Sequence, residues 1–89
     1  MPCISRFYGI AIYMYFSDHA PPHFHAIYGE YDAEIEISSG RVIDGWLPKR
    51  VLRLVRPWAR VHQDELERNW SNARQERKLS QIEPYEPGR

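Results

Sequence analysis

Residues 16–29, FSDHAPPHFHAIYG, hold three of the chain's four histidines, an aspartate and two adjacent prolines. His23 and His25 stand two apart, a spacing that puts both side chains on one face of a strand. Imidazole and carboxylate are ligand types that suit zinc or iron, so Asp18, His23 and His25 form a candidate metal set, with zinc as the expected divalent ion. Histidine also titrates near neutral pH. His23 and His25, with Tyr13 and Tyr15 beside them, therefore form a candidate acid/base centre for a small hydrolase, most plausibly a nuclease, with or without metal. A third use is architectural, with the two rings hydrogen-bonding loop backbone and neighbouring tyrosines. The residue types fit all three.

The elements that must position these residues follow from hydropathy patterning. IAIYMYF (10–16) alternates, with Ile10, Ile12, Met14 and Phe16 on one face and Tyr13 and Tyr15 on the other. HFHAIYG (23–29) sets Phe24, Ala26 and Tyr28 opposite His23, His25 and Ile27. YDAEIEIS (31–38) sets Tyr31, Ala33, Ile35 and Ile37 against Asp32, Glu34 and Glu36. One buried and one wet face is the pattern of an antiparallel sheet. CISRFYG (3–9) and RVIDGWL (41–47) complete a meander of four to five short strands, with turn chemistry at Gly29-Glu30 and Ser38-Ser39-Gly40. Asp18 and His19 fall in the connection after the second strand, and Pro21-Pro22 stiffens it.

The period changes at LPKR. Apolar residues at 51, 54, 55, 58, 61/62, 66, 70 and 73 predict two consecutive helices, or one bent helix, over 48–77. Pro48 suits the first turn, and Pro57 is the expected point of bending. Asp64 and Glu65 fall in the first turn of the second helix, where the dipole favours anions. His62 stands at the junction. Residues 78–89 read as a closing strand or extended tail. The fold class is α+β: one domain over 1–89, with strands in 1–47 and the helices packed on one sheet face.

Charge divides along the chain. Residues 1–46 carry two Arg against six Asp/Glu, and residues 47–89 carry ten Arg/Lys against six. Lys49, Arg53, Arg56 and Arg60 recur at helical spacing, with Arg50 beside them. They form a candidate surface for RNA, DNA or an acidic protein partner. The acidic strand face of Asp32, Glu34 and Glu36 could in turn meet the basic stripe of a second copy. Cys3 is the only cysteine, which excludes an internal disulfide and a cysteine-ligated zinc. No stretch approaches the roughly 20 apolar residues of a membrane helix, and the N-terminus lacks a signal-peptide pattern. A cytoplasmic protein is expected.

The segments MPCISRFYGIAIYMYFSDHAPPHFHAIYGEYDAEIEI, GRVIDGWLPKRVLRLV, HQDELERNW and IEPY resemble a small bacterial family known as domain of unknown function 4160. The family motifs fall here on Arg6, Tyr8, His23, His25, Lys49 and Arg50, and Pro57 departs from the pattern. The resemblance implies a companion protein, of the family called domain of unknown function 2442, and a two-gene arrangement of toxin–antitoxin type. The implied role is a component that binds a protein partner, either the adjacent gene product or another copy of itself.

Overall fold

A computed structural model describes residues 2–86. Five strands form one antiparallel sheet in chain order: β1 (Cys3–Phe7), β2 (Ile10–Tyr13), β3 (His23–Tyr28), β4 (Tyr31–Glu36) and β5 (Val42–Gly45). Two helices follow, α1 (Lys49–Val61) and α2 (Gln63–Arg74). The α+β meander expected from the alternation is the fold observed. No helix of the described residues is long and apolar enough to cross a membrane.

Short turns set the register. β1 and β2 pair Phe7 with Ile10 around Tyr8-Gly9, both at positive φ, the type I′ pattern. β3 and β4 pair Tyr28 with Tyr31 around Gly29-Glu30, with Gly29 at φ +59°, where a side chain is disfavoured. That two-residue turn forces His25 opposite Glu34 and His23 opposite Glu36. β2 adds Tyr13 opposite His25, and β5 adds Asp44 opposite Glu34. One row therefore crosses four strands: Tyr13, His25, Glu34, Asp44. β5 can lie this close only because residue 45 is glycine, since a Cβ there would sit 2.0 Å from the Asp32 carbonyl oxygen.

The opposite face carries the core. Ile12, Phe24, Ala26, Ala33 and Ile35 are buried against Val51, Val55 and Trp58 of α1 and Leu66 of α2. Trp58 is the central ring, 5.2 Å from Phe7 and 5.9 Å from Phe24 between centroids. Large aromatic rings supply much of the apolar area available to so short a chain.

Several boundaries differ from the sequence reading. β2 stops at Tyr13, so Met14 is buried but Phe16 is 44% exposed instead of continuing the apolar face. The chain leaves the sheet there because Ser17 turns at φ +56° and its N–H donates to the Ala73 carbonyl of α2. Pro48 is the N-cap and not the first helical residue, and its carbonyl accepts from the Val51 and Leu52 amides. The helical region breaks at His62 and not at Pro57. Pro57 lies on the exposed side with Arg53, whose carbonyl loses its helical partner on that side, so the core-facing side of α1 runs on unbroken. Val61, expected in the apolar stripe, is 77% exposed. α2 ends at Arg74, short of residue 77, and Asp64 and Glu65 do occupy its first turn.

The tail forms no strand among the described residues, and 87–89 of it lie outside them. It is clasped instead by side chains. Asn69, buried in α2, donates through Nδ2 to the Ser80 carbonyl and accepts from the Ser80 amide, both at 2.9 Å. Trp58 Nε1–H donates to the Glu83 carbonyl at 2.7 Å, and the Ile82 amide donates to the Ile4 carbonyl.

Candidate metal centre

The loop between β2 and β3 folds back over the start of β3. Its anchors are the Ser17–Ala73 backbone bond and a bond from Ser17 Oγ to the Glu76 carboxylate. The Ala20–Pro21 peptide is cis. This placement brings Asp18 down onto the histidine face. Asp18 Oδ2 lies 3.0 Å from His23 Nε2 and 3.1 Å from His25 Nε2. Glu34 arrives from β4, with Oε1 3.5 Å from His23 Nε2 and 3.4 Å from His19 Nε2. Two ligand triplets share His23: Asp18–His23–His25 and His19–His23–Glu34.

The spacing suits a metal ion. Zinc bonds of about 2.0–2.1 Å place ligand atoms roughly 3.3 Å apart in a tetrahedron and about 3.0 Å apart along an octahedral edge. Hydrogen bonds between imidazole and carboxylate would give similar distances, so the tautomers decide. His23 Nδ1 lies 2.7 Å from the Pro21 carbonyl and His19 Nδ1 lies 3.2 Å from the Ala20 carbonyl. A carbonyl oxygen can only accept, so both Nδ1 atoms carry the proton. In a neutral ring each Nε2 then aims a lone pair at carboxylate oxygens. Only a cation between them makes that arrangement favourable: a proton on each ring, or one metal ion shared by all. The His19 and His23 rings stack with centroids 4.8 Å apart, and the His23 and His25 rings are 5.2 Å apart. Charging each ring separately would crowd like charges, whereas one dication serves every lone pair at once. Fixing a ligating histidine through its other nitrogen is also how metal sites orient their ligands.

Burial grades the cluster. His23 is fully buried against Trp70 of α2, 5.1 Å between centroids, and both its nitrogens are engaged. That suits a ligand better than a proton shuttle meeting a substrate. His25 is nearly buried under Tyr15, which meets it edge-on at 4.4 Å, and Tyr13 stacks on Tyr15. The outermost ring, His19, has a side chain 63% exposed. The two tyrosines thus join the histidine face as expected, as a wall beside His25. Burial, then the charge of Asp32, then Tyr13 and Asp18 raise the Tyr15 phenol above its ordinary value, so it stays an O–H donor at neutral pH.

Burial pushes the Asp18 carboxyl up. The His25 bond, the His19 backbone N–H and the charges of His23 and His19 outweigh it and hold the group below its ordinary 3.8. The bond to Ala20, opposed by slight burial and helped by Asp18, Glu34 and Asp44, raises His19. A depressed carboxyl stabilises the fold above its unfolded value and loses that contribution as pH falls through the folded one. In metal-free buffer, urea unfolding should therefore show wild type losing stability below about pH 4 relative to Asp18→Asn. Parallel curves for the two proteins in that window would contradict the coupling.

His19 and Glu34 were not among the ligands expected from sequence. Glu34 had a signal: a two-residue turn at 29–30 pairs 25 with 34 by arithmetic. His19 had none, because its position depends on how the loop folds.

The cationic residues lie elsewhere. Lys49, Arg50, Arg53, Arg56 and Arg60 are all exposed on α1, and α1 packs on the sheet face opposite His25 and Glu34. Pro57 does not interrupt the stripe. Arg56 Nε donates to the Gly40 carbonyl, and Arg50 lies 5.7 Å from the Tyr28 ring centre. His62 caps the helix junction, its Nδ1 2.6 Å from Glu65 Oε1.

No curated protein and no solved structure matches the chain. A family model described as Domain of unknown function (DUF4160) matches residues 9–71, a span that includes every residue of the cluster.

Proposed function

We propose, from the premise that the chain belongs to the DUF4160 family, that this protein binds one transition-metal dication of the zinc class. Asp18, His23 and His25 are the ligands, and His19 and Glu34 face the ion from beside them without being needed to hold it. The observation that carries this is the placement of the His19 and His23 rings, each with Nδ1 against a backbone carbonyl and Nε2 against a carboxylate. Zinc titrated into metal-free protein should bind one ion per chain, followed calorimetrically and by elemental analysis after dialysis. A ratio well below one ends the reading. A nuclease is less well supported: the cluster is ringed by carboxylates, and the cationic stripe is on the other side of the sheet.

A second reading concerns that stripe, as the docking surface for an acidic protein partner. α1 has five basic residues and no acidic one, with Lys49 and Arg50 in its first turn, against the helix dipole. Among the described residues no Lys or Arg forms an ion pair, since every pair involves histidine. Leu52 and Pro57 line the same shallow groove as Lys49, Arg53 and Arg56. The groove has no aromatic residue on which bases could stack. A labelled Glu/Leu peptide should bind and weaken with salt, and Lys49→Glu with Arg53→Glu should abolish binding. Equal binding by the double variant would rule this out.

A further inference from the structure

We infer that the metal centre is hydrolytic, with Glu34 as the proton acceptor for a metal-bound water and an uncharged or cationic ester or amide as substrate. This rests on the metal reading above. Asp18, His23 and His25 supply three protein ligands, the number that leaves a catalytic zinc one open position. The far side of the trio is closed by His23 itself, which is fully buried against Trp70. The near side opens on a hollow of about 250 Å³ lined by His25, Asp32, Glu34, Asp44 and Gly45. His25 and Glu34 therefore belong to both the cluster and the hollow. Glu34 stands between the cluster and the hollow, its oxygen 3.5 Å from His23 Nε2.

The chemistry balances with water alone. A metal-bound water loses a proton to Glu34, and its oxygen adds to the substrate carbonyl carbon. The C–O or C–N bond then breaks, and Glu34 returns the proton to the leaving alkoxide or amine. The lining selects the substrate. Asp32, Glu34 and Asp44 repel phosphates and carboxylates, and no Lys or Arg lines the hollow to offset them. Glycine at 45 keeps one wall free of side chain.

The test uses zinc-loaded protein with 4-nitrophenyl acetate and, as the anionic comparator, bis(4-nitrophenyl) phosphate. The ester should be hydrolysed faster than by free zinc or by metal-free protein, and the phosphate diester should not. Glu34→Gln should keep one zinc per chain and lose about 10²–10⁴-fold in ester turnover. Zinc-loaded wild type that hydrolyses neither compound overturns the inference while leaving metal binding intact. Preference for the diester overturns the substrate class. Glu34→Gln that turns over normally, or that loses its zinc, overturns the role of Glu34. Failure of wild type to bind zinc brings down the metal reading itself.

Discussion

His23→Ala should abolish tight zinc binding, lowering affinity by more than the roughly 10–100-fold that removing an outer-shell partner costs. The residue is singled out because its Nε2 belongs to both ligand triplets. Removing it leaves Asp18 with His25 on one side and His19 with Glu34 on the other, neither a three-ligand set. His19→Ala leaves Asp18, His23 and His25 in place, so its cost should be no more than about 10-fold, the lower edge of that range. The ordering of the two variants is the discriminating result. A chelator-competition titration reads it directly, and denaturation reads it independently. Zinc at about 100 times its dissociation constant should raise the unfolding free energy of wild type by about 2.7 kcal/mol and that of His23→Ala by almost nothing. If His23→Ala and wild type gain equally from zinc, the rings are held by protons and the cluster is architecture.

Trp58→Ala should cost about 3–5 kcal/mol, the range for deleting a large buried aromatic. A chain of this length has only about 5–10 kcal/mol in total, so the variant sits near the edge of folding. The loss is large because one side chain joins three parts. Its ring packs on Phe7 of β1 and Phe24 of β3, and its Nε1–H holds the tail at Glu83. Trp58→Phe separates these contributions. It keeps a ring in the core but leaves the Glu83 carbonyl without its donor, for about 0.5–1.5 kcal/mol. Faster hydrogen exchange at the Ile82 amide, with most of the sheet still protected, would mark that local release. A urea midpoint for Trp58→Ala close to wild type would show that the helices do not close the core through this residue.

The alternation of Ile10, Ile12, Phe24, Ala26, Ala33 and Ile35, and the switch to helical spacing after Pro48, make the α+β meander legible in the sequence. These are local signals, because side-chain period follows directly from backbone conformation. Element ends were less legible. Phe16 continues an apolar pattern past the end of β2, and Val61, the last residue of α1, continues one on a side of the helix that stays exposed. Pro57 marks an expected bend in the sequence, although its effect depends on which side of the helix faces water.

The candidate site divides the same way. Asp18, His23 and His25 were visible as a set because ligand chemistry and strand spacing are written in residue order. Their convergence with Glu34 is already implied by a two-residue turn. His19, the locked tautomers, the acidic hollow and the separation of the cationic stripe from the histidines are not. Each depends on the 14–22 loop docking on α2 through Ser17, or on which sheet face α1 covers. Contacts between residues far apart in the chain are chosen by packing of the whole domain, and no local period encodes them.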